Sequence, residues 1–233
     1  ISVSAFLLNR SSDLEIATVF ADHIAAAGVK TLAVQTCPDT YTWCLLNDGK
    51  LACFTYEKQQ KINAWHRHEI AGGFCTALAV IPGQLSDEVW LAVKRTIDGV
   101  EKQYIERLAP AFHSVYDEEG NYNYLDSSLR YQGEPTDTLT GLDHLEGCTV
   151  RPLVDNWVHP DVVVENGSIT LQTEGSDILV GLPYLSRFVS LEVQSQEQLT
   201  VGNKRNMYRA DVSIYKTLGL KSGVIDDTVA DLD

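Results

Sequence analysis

No apolar run in the sequence approaches the about 20 residues that a bilayer-spanning helix needs, because the longest, at 77–81 with Cys75 just before it, is a quarter of that length. No basic leader opens the chain either. Positive charge is scarce: 18 Lys and Arg stand against 32 Asp and Glu, a formal net charge of −14, which disfavours any role that grips phosphate backbones or anionic lipid. Paired cysteine motifs are missing too. Cys37, Cys44, Cys53, Cys75 and Cys148 are odd in number and form no C-x-x-C, so neither a disulfide framework nor a zinc ribbon is signalled. The four cysteines from Cys37 to Cys75 sit in apolar, strand-like contexts, where a thiol serves packing. G-x-S-x-G, P-loop and dinucleotide fingerprints are all absent.

What remains is an ordinary globular composition, 44% hydrophobic and 21% charged over 233 residues, enough for one large or two small domains with a real core. One stretch has helical spacing: Leu14, Ile16, Ala17, Phe20, Ala21 and Ile24 recur at three and four, with Gly28 after the last turn, which predicts a short N-terminal helix. The rest is β-like. Runs rich in Val, Thr, Tyr, Trp and Ile are separated by Asp48-Gly49, Pro82-Gly83, Asp98-Gly99, Asp155-Asn156 and Asn166-Gly167, and the Asp-Gly and Asn-Gly pairs supply the positive φ angles of two-residue hairpin turns. Residues 43–46 should pair with 51–56, and 89–96 with 100–108, in antiparallel sheets. At Asn166-Gly167-Ser168 the same turn chemistry is favoured over a glycosylation sequon.

A repeat underlies these hairpins. Leu32-Ala33-Val34, Pro38, Trp43, Asp48-Gly49 and Tyr56 recur as Leu78-Ala79-Val80, Pro82, Trp90, Asp98-Gly99 and Tyr104, a period of about 47 residues that matches a propeller blade. Polar residues 117–123 mark a boundary. Beyond it, strands are expected at 149–154, 161–164, 168–171, 178–180 and 188–193, and strand alternation resumes at 208–218. The expected architecture is therefore mainly β: antiparallel propeller-like blades in a domain at 1–124, rejoined by 207–223, with a small β-barrel inserted at 125–200 and an acidic tail at 224–233. The alternating Ile1-Ser2-Val3-Ser4-Ala5 at the start reads as a strand cut from a longer polypeptide.

Candidate chemistry is sparse. In a strand, His66 and His68 of Trp65-His66-Arg67-His68-Glu69 share a face and could offer two imidazoles to a metal, as in a cupin, but Glu69 faces the other way and no second motif follows. A sheet face lined by histidines is the simpler reading. Asp117, Glu119, Asn121 and Asn123 alternate like the front of a calcium loop, but Gly120 is misplaced and Ser128 stands where the closing Glu belongs. Nothing sets two carboxylates across a cleft at glycosidase spacing. No catalytic, cofactor-binding or metal-binding residue is assigned, and no enzyme activity is expected.

The order of short strings is more informative. Val19-Phe20-Ala21-Asp22-His23-Ile24, Thr42-Trp43, Phe54-Thr55-Tyr56-Glu57, Ala64-Trp65-His66-Arg67-His68, Gly73-Phe74 and Ala79-Val80-Ile81-Pro82 come in sequence. They are followed by Asp87-Glu88-Val89-Trp90-Leu91, Lys94-Arg95-Thr96-Ile97-Asp98-Gly99, Tyr104-Ile105-Glu106-Arg107-Leu108, Gly141-Leu142-Asp143-His144-Leu145-Glu146-Gly147-Cys148-Thr149-Val150 and Val180-Gly181-Leu182-Pro183-Tyr184. In this order the chain resembles, over 19–223, the tail nozzle or tail tubular protein B family of short-tailed phages and prophages. That resemblance implies a central fragment of a structural virion protein, assembled in the host bacterial cytoplasm into a ring, usually a hexamer. The ring would bind a tail adaptor and let genome DNA pass without specific binding, with no membrane insertion. Two other readings stand beside it. One is a carbohydrate-binding or depolymerising β module of the same tail, which would need exposed aromatics among Trp43, Trp65, Trp90 and Trp157. The other is a cellular enzyme with a metal held by His66 and His68.

Overall fold

The computed structural model describes residues 17–18, 21–57, 60, 62–84, 86–109, 123–189, 211–213 and 221. The chain divides into two compact units, Ile1–Tyr184 and Leu185–Asp233, and every described strand belongs to the first. That unit is mainly β and antiparallel throughout. Its first sheet runs β1 (Val29–Gln35), β2 (Tyr41–Leu46), β3 (Leu51–Glu57), β4 (Ile62–His68) in that order, and its second runs β5 (Gly73–Ile81), β6 (Glu88–Ile97), β7 (Val100–Arg107). The third is built from β8 (Asp126–Thr140), β9 (Thr149–Val154), β10 (Trp157–Val158), β11 (Val162–Val163) and β12 (Ser168–Leu182), in the order β10-β9-β12-β8 with β11 also on β9.

Both predicted hairpins form. Leu45 faces Leu51 across the β2–β3 turn, and Ile97 faces Val100 across the β6–β7 turn. At Asp98-Gly99 both φ angles are positive, 51° and 71°, as they are at Asp155-Asn156 (47° and 70°) and Asn166-Gly167 (54° and 65°). Two successive left-handed residues give the type I′ turn, whose twist matches that of the strands it joins.

The expected N-terminal helix is not what the described residues make. Ala21 N–H donates to Thr18 C=O at 2.8 Å, Ile24 to Ala21 at 2.9 Å and Gly28 to Ala25 at 2.8 Å, a succession of i→i+3 turns with no α-helix among the described residues. The first sheet supplies a reason. Trp65 Nε1, Arg67 Nη2 and Asn47 Nδ2 donate to the carbonyls of Ala17, His23 and Ala27, so side chains occupy acceptors that a helix would turn toward its own amides. Residues 13–16 and 19–20 of the predicted helix lie outside the described residues.

The 47-residue repeat is a repeat of structure. Leu32 and Leu78 lie in β1 and β5, Trp43 and Trp90 in β2 and β6, Tyr56 and Tyr104 in β3 and β7. Directly paired residues of neighbouring strands project to one face of a sheet. In the first sheet Trp43, Leu45, Leu51 and Cys53 therefore share a face, and they pack against Cys75, Val89, Leu91 and Val93 of the second to form one core. The opposite face of the first sheet carries Cys44, Leu46 and Ala52, with Ile24, Val29 and Trp65 packed against them.

The third sheet has a separate core of Leu139, Leu142, Leu145, Val150, Val154, Val164, Ile169, Ile178 and Val180, among others. It is open, since β10 and β8 end the strand order unpaired with each other. Strand 149–154 falls as expected, 161–164 shrinks to β11, and 168–171 and 178–180 prove to be parts of one continuous β12. Residues 188–189 are not strand, while 190–193 and all of 208–218 except 211–213 lie outside the described residues.

Candidate functional site

The register of β3 against β4 sets Cys53 opposite His66 and Leu51 opposite His68, which brings both imidazoles onto the face that carries Trp43. The rings of His66 and His68 lie 4.8 Å apart, and the Trp43 indole sits 6.5 Å from the first and 5.1 Å from the second. Trp43 is 5% exposed, and its Nε1–H donates at 2.9 Å to Gln35 Oε1, whose Nε2 donates in turn to Cys37 C=O. Burial pushes both imidazoles below their ordinary range. His66 moves down by desolvation alone, and His68 falls to about 4 by desolvation and the neighbouring His66. His68 Nε2 is buried without a hydrogen-bond partner. Burial thus favours the neutral form of both rings in the pair. Among the described residues no third His, Cys, Asp or Glu joins it in a metal-holding group. Glu69 pairs instead with Lys50 at 2.5 Å.

A second cluster was not foreseen. In β6 the residues Val89, Leu91, Val93, Arg95 and Ile97 alternate onto the core face, and Arg95 is 2% exposed. Its Nε and Nη2 donate to both carboxylate oxygens of Glu106 in β7, at 3.0 and 2.9 Å, and its Nη1 donates to Ala71 C=O. Ala71 N–H donates at 2.7 Å to Asp126 Oδ2 at the start of β8, so one buried guanidinium ties the second sheet to the third. Asp126 is raised above the carboxylate range by burial, against the pull of the Ala71 amide and of Arg95. The signal in the sequence is the basic residue that interrupts an otherwise apolar alternation, Val89, Leu91, Val93, Ile97. Nearby, a shallow depression of about 630 Å³ is lined by Phe74, Thr76, Lys94 and Glu101 among others, but its two charges are spent on each other at 2.7 Å.

The remaining candidates scatter. Cys44, Cys53 and Cys75 are buried, and burial drives their thiols up, the first two to about 11 and about 12, which makes them poor nucleophiles at neutral pH. Cys37 departs from expectation: it is exposed, in the loop after β1 rather than in a strand. Of the calcium-like loop, 117, 119 and 121 lie outside the described residues, and Asn123 bonds Ser128 Oγ at 2.6 Å through its amide. Asn166 and Gly167 form the expected turn, with both amides donating to Glu146. The indole of Trp65 is stacked on Phe54 at 4.6 Å and Trp90 is half-buried, whereas Trp157 is 78% exposed. No protein-family model matches the chain, and no curated protein matches it.

Proposed function

We propose that the chain is a structural component of the tail nozzle of a short-tailed phage, part of the conduit through which DNA is ejected. The observation that carries the reading is the stack of two antiparallel sheets related by the 47-residue repeat, in which inward and outward positions keep their parity from one sheet to the next. Successive propeller blades stack in this way. The net charge of −14 suits a passage that must not hold DNA, because a negative wall repels phosphates. The roles are architectural: subunits meet in a ring, and the ring joins the tail adaptor.

Sedimentation and electron microscopy of the intact protein, with and without the adaptor, test this. A ring that joins the adaptor supports the nozzle; a persistent monomer that never joins it overturns it. The exposed Trp157 favours a second reading, a host-surface carbohydrate module, for which the readout is binding of host surface polysaccharide lost on Trp157→Ala.

A further inference from the structure

The joint between the first two sheets has two unlike sides. One is the face of the first sheet that carries Trp43 and Leu45. The other is the face of the second sheet that carries Leu78, Val80, Val89, Leu91 and Val93. Through the repeat, each sheet also owns the face that it does not use in this joint. Trp90 stands where Trp43 does, and its cross-strand partners Ala79 and Arg107, with Ala77, Ala92 and Ile105 beside them, share its face on the far side of the second sheet. Leu32 and Val34 stand where Leu78 and Val80 do, on the far side of the first sheet with Cys44. Both are open at their edges: Ile105 is 70% exposed and Ile81 50%, while Leu32 and Val34 are 49% and 54% exposed.

The Trp90 face is built like an interface. Small and aliphatic residues surround a half-buried indole, and ion pairs border them: Arg107 with Glu88 at 2.7 Å, and Lys94 with Glu101 at 2.7 Å. Apolar centre and charged rim is the arrangement of protein–protein contacts. We infer that a second copy of this chain docks head to tail on this face, laying the exposed Leu32 and Val34 of its β1 against Trp90, Ala92 and Ile105 of the first. The occupant follows from the repeat, since the contact continues, in the same order and with equivalent residues, the joint already formed inside each chain. Ile24 and Val29 pack on Cys44 and Leu46 at the centre of the docking copy's face, so the contact runs along β1, where Leu32 and Val34 remain exposed. Such a contact is heterologous and propagates into a ring or a filament. It deepens the nozzle reading, on which it rests, by naming the surface that joins the subunits.

The experiment is sedimentation of the intact protein over a concentration series, at physiological and at raised salt. Wild type associates beyond a dimer, more strongly at raised salt as screening shortens the repulsion between negatively charged copies. Ile105→Lys removes one side of the contact and Leu32→Lys the other, each weakening association about tenfold or more. Mixed together, the two variants still share one intact pair of faces and form a dimer that goes no further. Ile81→Lys and Val34→Lys repeat the two lesions at separate exposed positions, and far-UV circular dichroism confirms that each variant is folded. A wild type monomeric at every concentration, association untouched by Leu32→Lys, or a mixture that stays monomeric overturns the inference. Rings that join the adaptor yet tolerate Ile105→Lys overturn this joint and leave the nozzle standing. Head-to-tail association that never joins the adaptor keeps the joint and sinks the nozzle.

Discussion

His68 couples the core between the first two sheets to pH. Its folded-state value, about 4, lies below the ordinary histidine value of 6.5, so the unfolded chain takes up the proton first as the solution is acidified. Stability is complete above pH 6.5, falls between about 6.5 and 4, and levels off below that for this group. A shift of this size amounts to up to about 3 kcal/mol, reduced by the remaining solvent contact of the ring. Urea midpoints measured across that window should drop for wild type and drop less for His68→Phe, whose ring keeps the contact with Trp43. Equal slopes would show that the imidazole is not the sensor. Arg95 makes a different demand. It is buried with Glu106 as its bidentate anion, so Glu106→Ala strands a charge and should cost about 3–5 kcal/mol, read from chemical denaturation. A loss under 1 kcal/mol would mean that Asp126, linked through Ala71, holds the guanidinium alone. Strand parity placed His66 and His68 on one face from sequence; it would equally have placed Arg95 inside, but an arginine between Lys94 and Thr96 reads as surface until the flanking Val93 and Ile97 are weighed.

Among the elements, the turn into β12 concentrates several constraints. Gly167 has φ of 65°, its amide and that of Asn166 donate to the Glu146 carboxylate, and a Cβ at Gly167 would stand 2.6 Å from Asp143 Oδ1. Gly167→Ala combines a left-handed backbone penalty of about 1–2 kcal/mol with displacement of that carboxylate. Thermal unfolding should show a loss of at least 1 kcal/mol, while Gly99→Ala, where nothing lies within 4 Å, should show the backbone penalty alone. Equal losses at the two turns would remove Asp143 from the account. These turns were legible because Asp-Gly and Asn-Gly act locally. β8 was not: it includes Gly133 and Pro135, its middle is exposed, and its partner β12 follows 28 residues after its end, so nothing within a short window announces it. The N-terminal turns were misread for a related reason, since the side chains that take their carbonyls come from β4 and the β2–β3 turn.

For the whole molecule the decisive quantity is charge, which was legible from composition alone. An excess of 14 negative charges gives DNA little to hold, and the positive side chains that the structure describes are largely engaged. Arg95, Arg107, Arg130 and Arg151 pair with Glu106, Glu88, Asp177 and Asp161, and Lys50 and Lys94 with Glu69 and Glu101. Nonspecific DNA binding proteins reach dissociation constants of about 10⁻⁴ to 10⁻⁶ M at physiological salt by neutralising phosphates and releasing counterions. This chain should fall outside that range for duplex DNA of any sequence, and lowering the salt should not rescue binding, because the longer-ranged interaction exposed at low salt is repulsive. Mobility-shift and anisotropy titrations at two salt concentrations check both statements. Micromolar binding that strengthens steeply as salt falls would reveal a basic track hidden by the net charge, and a track of that kind would count against the proposed DNA conduit.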